Sequence, residues 1–420
     1  MDLTASLNRL YSLHTFGIKL GLDNIIRFLE YIGNPQKKLK AFHIAGSNGK
    51  GSTSSFISSI LQEYGYNTGL YTSPHFVKFN ERIKINNSEI PYEYVAAFVR
   101  KYDRQITEFG LTFFEVTTAM AFNYFADEKV DYAVIETGLG GRLDATNVLN
   151  PSACIITSIS LEHTNVLGTT LTQIAKEKGG IIKQRSKVFA GKLPDEASKV
   201  IKEICDNTNS EFFSIEDYTN VKGSSLELYT EELELDDWTM PLKGVYQKYN
   251  AALAALAVSK VLNSDELGIV EKGIKNVLIN TGLQGRYELY HQNPDIIFDS
   301  AHNPESIKNF LTEYSLNSAR YKKKSLIFGV LQDKAVKEML IELKSHFDEI
   351  LITNVNNERA CSLETLSGIC TELKINFQTL ADPVEYLRNF INHKENNCLV
   401  VLGSMYLLGE IKSQLLNITS

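Results

Sequence analysis

Short apolar runs alternate with longer segments of helical period along most of the chain, the pattern of βα units around a parallel sheet. The run at 41–45 (AFHIA) leads through a glycine-rich turn into STSSFISSILQEYG, which predicts strand, loop and helix. A short strand follows in TGLYTS, ending at Ser73-Pro74. Helical periods cover about 92–109 and 114–126, and buried strands are predicted at 131–136 (DYAVIE) and 153–158 (ACIITS). Between those strands, TGLGGRLDATN is too rich in Gly, Asn and Asp to be anything but a loop. The rhythm resumes with a strand at 187–190, a helix at 196–206 and a strand at 211–215. The stretch 218–244 alternates like a small antiparallel meander and holds the single tryptophan, Trp238; helices at 246–262 and 266–280 follow. A second rhythm then sets strands at 296–299, 325–330, 349–353 and 397–402 between helices at 304–317, 333–346, 362–373 and one from Ser404. That is a doubly wound domain of about 140 residues, with TGLQGR (281–286) as the expected hinge before it.

A length of 420 residues implies two domains or three, and 43% hydrophobic with 22% charged residues is ordinary for a protein with a full core. Lys+Arg 43 against Asp+Glu 50 gives −7, so no global basic field gathers nucleic acid or anionic lipid. No apolar stretch approaches the roughly 20 residues of a membrane span. The N-terminal MDLTASLNRLYSLH has neither the charged nor the apolar region of a signal peptide. Five cysteines, odd in number and without a CxxC pair, read as reduced thiols. A cytoplasmic monomer is expected, without nucleic-acid or membrane partners.

Any phosphate-bearing ligand must then be held locally, and HIAGSNGKGS (43–52) is suited to it. Its glycines let backbone N–H groups approach phosphate oxygens, the helix N-terminus adds positive potential and Lys50 a point charge. Gly51 between Lys50 and Ser52 departs from the ordinary phosphate loop; the bland alternative is a glycine-rich turn with a solvated lysine. Three further polar residues stand past predicted strand ends, where open α/β sheets place ligands: Ser73, Glu136 and His163. Each alone is more simply a cap, an ion-pair partner or a structural histidine. Together they could hold Mg²⁺ with water and phosphate oxygens. Lys178, before Gly179-Gly180, reads most simply as a cation at a helix C-terminus.

HIAGSNGKGS, TSPHFVKFNERI, TFFE, ETGLGGRLDATN, TSISLEHTNVLGTTLTQIAKEKGGIIK, DSAHNP and GSMYLLGE occur in one order across the chain. Together they resemble the folylpolyglutamate synthase/dihydrofolate synthase family of the Mur-ligase superfamily. The resemblance implies an α/β chain with a phosphate-loop domain of the Mur central type over 1–282. A smaller doubly wound, Rossmann-like domain over 283–420 would close over nucleotide and glutamate. It implies an ATP-dependent ligase that joins L-glutamate to dihydropteroate or to the γ-carboxylate of a reduced folate through an acyl phosphate. Asn48, Gly49, Lys50, Gly51, Ser52, Asn250, Arg286 and Asp299 would contact ATP, and Ser73, Glu136 and His163 would coordinate Mg²⁺. Lys178 would be carbamylated. Lys19, Leu20, Gly21 and Leu22, Thr112, Phe113, Phe114 and Glu115, and Leu143, Asp144 and Ala145 would line the pterin site. Lys50, Lys178 and His302 are the expected catalytic groups, with His302 and modified Lys178 both open as base for the glutamate amine.

The chain departs from the family pattern at Ser300 (Gly), Gly179 (Ala), Glu162 (Asp), Leu283-Gln284 (Trp-Pro) and Lys19 (acidic). Lys19 stands beside the pterin site and bears on substrate identity. Two rivals are a UDP-sugar peptide ligase and a nucleotide-binding protein without activity. The first needs a domain ahead of the phosphate loop, where only about 45 residues stand, below the ~50-residue lower edge of ordinary domains. The second is expected to lack groups that are present here. One pterin substrate or two remains open, with a bifunctional enzyme preferred.

Overall fold

The computed structural model describes residues 3–13, 21–222, 225–229, 234–235, 240–264, 266–392 and 395–416. Its contacts divide the chain into two units. One comprises Met1–Pro74, Phe79–Pro241 and Gln247–Gly282; the other comprises Leu283–Ser420 with the short stretches His75–Lys78 and Leu242–Tyr246.

In the first unit the helices are α1 (Leu3–Ser12), α2 (Asp23–Tyr31), α3 (Lys50–Glu63), α4 (Tyr92–Glu108), α5 (Phe113–Asp127), α6 (Thr164–Leu167), α7 (Leu171–Gly179), α8 (Asp195–Asn207), α9 (Val245–Leu262), α10 (Leu267–Lys275) and α11 (Val277–Thr281). Its strands are β1 (Ala41–Ala45), β2 (Thr68–Tyr71), β3 (Ile83–Ile85), β4 (Ser88–Glu89), β5 (Tyr132–Glu136), β6 (Ala153–Ile156), β7 (Lys187–Ala190) and β8 (Glu211–Ser214), in the order β4-β3-β2-β5-β1-β6-β7-β8. The run from β2 to β8 is parallel, and β3 and β4 turn back antiparallel at one edge. Helices cover both faces, so β1 is buried at every residue and its sequence is apolar without alternation apart from His43. A three-stranded antiparallel sheet of β9 (Thr219–Lys222), β10 (Ser225–Tyr229) and β11 (Glu234–Leu235) stands where the meander is expected; Trp238 lies outside the described residues.

The predicted helix at 266–280 is two helices, broken at Asn276, whose amide Nδ2 donates to Glu63 Oε1 at 2.8 Å. The unpredicted α2 buries Ile25, Phe28 and Leu29 at helical spacing.

The second unit holds β12 (Glu288–His291), β13 (Asp295–Phe298), β14 (Lys324–Phe328), β15 (Glu349–Ile352), β16 (Phe377–Thr379) and β17 (Cys398–Leu402), with α12 (Pro304–Ser318), α13 (Val336–Leu343), α14 (Leu363–Glu372), α15 (Pro383–Ile391) and α16 (Met405–Leu416). The strand order is β12-β13-β17-β14-β15-β16, parallel except for β12. Phe76 packs into this unit: a Cβ at Gly409 would lie 2.0 Å from the Phe76 carbonyl oxygen, and one at Gly285 2.6 Å from its ring. Both positions therefore need glycine.

Candidate active site

β1 ends at Ala45, and the chain turns through Gly46, Ser47, Asn48 and Gly49 into α3. Gly49 has φ +85, a left-handed conformation, and a Cβ there would stand 2.5 Å from Asn250 Oδ1 on α9. At Gly46 a Cβ would meet Thr157 Oγ1 at 1.9 Å. The residues after β6 lace the loop down. Ser47 N–H donates to the Ser158 carbonyl (2.9 Å), Asn48 N–H to Ser158 Oγ (2.9 Å) and Thr157 Oγ1 to the Asn48 carbonyl (2.6 Å). Lys50 Nζ reaches back to the carbonyls of Gly46 (2.8 Å) and Ser47 (3.3 Å). No side chain caps α3, so its first-turn N–H groups have no acceptor within the helix. The result is a pre-formed cradle of donors for an anion.

Parallel pairing of β2 with β5 brings two of the expected metal ligands together: Ser73 N–H donates to Glu136 Oε2 at 3.1 Å, and Glu136 is 4% exposed. His163 lies beyond β6, half-buried, with φ +46. Among the described residues no three His, Cys, Asp or Glu side chains gather around one point. A cation here would therefore also take hydroxyl, water or phosphate oxygens, which suits a hard cation such as Mg²⁺. The donor set fits. Ser52 Oγ in the first turn of α3, Thr137 Oγ1 just past β5 and Ser160 Oγ past β6 are all buried without a hydrogen-bond partner. Such hydroxyls call for a polar occupant.

Lys178 is not a solvated cation over the end of α7. It is 1% exposed, and its ammonium turns inward to Glu162 Oε1 (2.7 Å) and the Gly46 carbonyl (2.9 Å). Burial lowers its pKa and Lys50 adds to this, against the pull of Glu162. Burial opposes the charge on Glu162 too, yet Lys178 and Lys50 outweigh it and hold the carboxylate well below its usual range. Glu162 in place of the family's aspartate thus keeps the contact with Lys178.

The pterin candidates separate into two kinds. Thr112 caps α5 and forms a reciprocal box with Glu115, whose Oε2 accepts from Thr112 N–H and Oγ1, both at 2.8 Å. Phe113 is buried, stacked on Tyr11 at 6.2 Å and covered by the Arg82 guanidinium at 5.2 Å. Phe114 is half-buried, and Gly138 passes so close that a Cβ would lie 2.5 Å from its ring. The Asp144 carboxylate turns into its own loop, Leu143 is half-buried and Ala145 buried. Gly21 and Leu22 precede α2; Lys19 and Leu20 lie outside the described residues. Sequence reasoning passes over Tyr11, which stands in no motif, and over Arg82, which TSPHFVKFNERI contains but to which no role is given. It also passes over the capping box, although T-x-x-E before an apolar run is its signature.

In the second unit Asp299 follows β13 and accepts N–H bonds from Tyr287 (2.7 Å) and Ala301 (2.8 Å). Burial pushes its pKa up to about 6, against those bonds and Arg286. His302 Nδ1 lies 2.8 Å from the Ser300 carbonyl, which can only accept, so the neutral ring leaves Nε2 as its base. Two departures from the family are accommodated: Ser300 Oγ donates to the Gly285 carbonyl (2.8 Å), and Gln284 Oε1 accepts from Lys412 (2.8 Å).

A phosphate cradle at the carboxyl edge of a parallel sheet, with a buried lysine–glutamate pair against it, defines a nucleotide-dependent α/β enzyme. Residues 44–258 match the Mur ligase middle domain and residues 285–405 the Mur ligase glutamate ligase domain. The chain is 35% identical to the dihydrofolate synthase/folylpolyglutamate synthase of Bacillus subtilis over 95% of its own length and 96% of that protein's. Escherichia coli FolC in complex with DHPP and ADP superposes with a TM-score of 0.90 at 26% identity, covering 100% of this chain and 99% of that one. The Yersinia pestis bifunctional enzyme complexed with AMPPNP and a Mn ion gives 0.85 at 27% identity, covering 99% and 98%. The chain belongs to the folylpolyglutamate synthase/dihydrofolate synthase family of Mur ligases.

Proposed function

We propose that this chain is a bifunctional ATP-dependent ligase that adds L-glutamate both to dihydropteroate and to the γ-carboxylate of reduced folates. The observation that carries the reading is the donor cradle of 46–52, with Lys50 and the buried Lys178–Glu162 pair converging on the Gly46 carbonyl. Asn48 to Ser52 hold the ATP phosphates, and Asn250, Arg286 and Asp299 contact the rest of the nucleotide. The pterin carboxylate attacks the γ-phosphorus, an O–P bond forms as the bond to ADP breaks, and Lys50 neutralises the charge that gathers on the transferring oxygens. The glutamate amine then attacks the acyl carbon, a C–N bond forms and phosphate leaves. The amine proton passes to a base, either His302 Nε2 or modified Lys178. Ser73, Glu136 and His163 would hold Mg²⁺, which supplies Lewis-acid charge to the phosphates when bound.

Lys178 is carbamylated in this reading. Burial favours its neutral amine, which gives up the ion pair with Glu162, attacks carbon dioxide to form an N–C bond and loses a proton. Protein equilibrated with labelled bicarbonate is expected to gain one carbon dioxide, absent from Lys178→Ala; no gain overturns the modification. Leu143, Ala145 and Phe114 offer apolar surface to the pterin in this reading, and the family resemblance adds Gly21, Leu22 and Phe113 to the lining. The chain acts on small molecules as a cytoplasmic monomer in this reading; the five buried free cysteines fit a reducing compartment, and the net charge of −7 offers nucleic acid no global field. No helix among the described residues is long and apolar enough to cross a membrane. The test offers dihydropteroate and tetrahydrofolate separately with Mg-ATP and glutamate and identifies products by mass spectrometry. Amide from both is expected; amide from one alone refutes bifunctionality.

A further inference from the structure

The strand that feeds the phosphate loop carries a histidine for which none of these steps has a use. His43, in the middle of β1, is wholly buried, and its Nε2 lies 2.7 Å from Thr146 Oγ1. The single hydroxyl proton of Thr146 is already committed to Asp144 Oδ1, at 2.5 Å. That carboxylate is ringed by donors: Oδ1 also accepts from Thr146 N–H (3.0 Å), and Oδ2 from Gly138 and Leu139 N–H (both 2.9 Å). Burial raises the Asp144 pKa, but these bonds oppose it and occupy both oxygens with donors; the carboxylate therefore only accepts, Thr146 Oγ1 must accept from the ring, and the tautomer is Nε2–H. Nδ1 is buried without a partner, and protonating it would bury an unpaired N–H. Burial, with Lys183, accordingly pushes the ring's pKa down to about 3.

The loop from Thr137 to Val148 is thus held from two sides. On one side Arg142 N–H donates to the Glu177 carbonyl (2.7 Å), and Asn147 Nδ2 donates to the carbonyls of Arg142 (2.9 Å) and Gly180 (3.0 Å). On the other, the chain His43–Thr146–Asp144 ties it to β1 and gathers Gly138 and Leu139 inward. Leu143 and Ala145 sit between the two anchors, flanking Asp144 itself.

We propose that His43 is a positioning residue for the pterin site: its Nε2–H, acting through Thr146 and Asp144, sets where Leu143 and Ala145 stand and so tunes affinity for the pterin ring. This rests on the reading of 143–145 as pterin-lining. A role for β1 in the phosphate loop alone would act on ATP instead, so the two are separable by which Michaelis constant moves.

The experiment is steady-state kinetics on the full chain for His43→Leu, His43→Gln, Thr146→Val and the His43→Leu/Thr146→Val pair. His43→Leu and Thr146→Val are each expected to raise KM for dihydropteroate about tenfold, the scale of one buried hydrogen bond, and to leave KM for ATP within about twofold. His43→Gln, which keeps a donor at the ε position, is expected to restore most of the loss. The double variant is expected to be no worse than either single one, because both cut the same chain. Equal rises in both Michaelis constants, a glutamine variant as poor as leucine, or multiplicative losses in the pair overturn the proposal. Nitrogen-15 NMR of the ring supplies a readout free of substrate: a protonated Nε2 and bare Nδ1 are expected across roughly pH 5 to 8. An unsubstituted chain inactive on both pterins overturns the reading of the loop. An active chain whose ring carries Nδ1–H overturns the role of His43.

Discussion

At His43 the folded chain refuses a proton that the unfolded chain accepts. The ring's pKa falls from an ordinary 6.5 to about 3, first because it is buried and then because Lys183 is near. A lowered folded-state pKa on a histidine means that the unfolded state binds more protons between those two values, so stability falls as pH falls through that window. The slope approaches 1.4 kcal/mol per pH unit, or about 2 kcal/mol between neutrality and pH 5. Asp299 acts in the opposite sense over part of the window. Its raised pKa makes the folded state the better proton binder between 3.8 and about 6. Comparison with His43→Gln, which leaves Asp299 in place, isolates the histidine. In urea unfolding the unsubstituted chain is expected to lose about 2 kcal/mol more than the variant on going from pH 7 to pH 5. Equal losses would mean that the ring is charged in the folded protein. At this scale the sequence announces the cradle residues, because glycine spacing between strand and helix carries its own physics. It is silent on the burial of Lys178, whose partner Glu162 stands 16 residues away and meets it only in the fold.

Among the elements, α5 shows how one motif carries two readings. TFFE resembles a pterin-lining segment, and the same four residues cap a helix: Glu115 is 5% exposed with Oε2 bonded to Thr112. The capping account makes a specific claim about charge. Gln at this position preserves the box, so Glu115→Gln is expected to keep near-normal stability and turnover, whereas Glu115→Ala loses about 1 kcal/mol in thermal or urea unfolding. Loss of pterin turnover in Glu115→Gln at unchanged stability would show the carboxylate's charge acting on substrate instead. Elements with strong period and burial are readable from the sequence, β1 and α3 among them. The short strands β3, β4, β12 and β16 are not, because two to four residues give no period to count. The helix break at Asn276, whose amide bonds to Glu63 more than two hundred residues away, leaves no mark in the local pattern.

For the whole molecule, the sequence shows two successive βα rhythms, and the fold resolves into two units, each with its own largely parallel sheet. What the rhythm hides is that the second unit takes in His75–Lys78, just past Ser73-Pro74, with Phe76 seated against Gly285 and Gly409. That seat explains a glycine in each of two motifs, Gly285 in TGLQGR and Gly409 in GSMYLLGE. The central claim is that this assembly couples ATP cleavage to ligation of glutamate. The most direct test follows ADP release from Mg-ATP and dihydropteroate with and without L-glutamate. The account predicts release that depends on glutamate, with one ADP for each amide formed; release at the same rate without glutamate, and no amide, would contradict it.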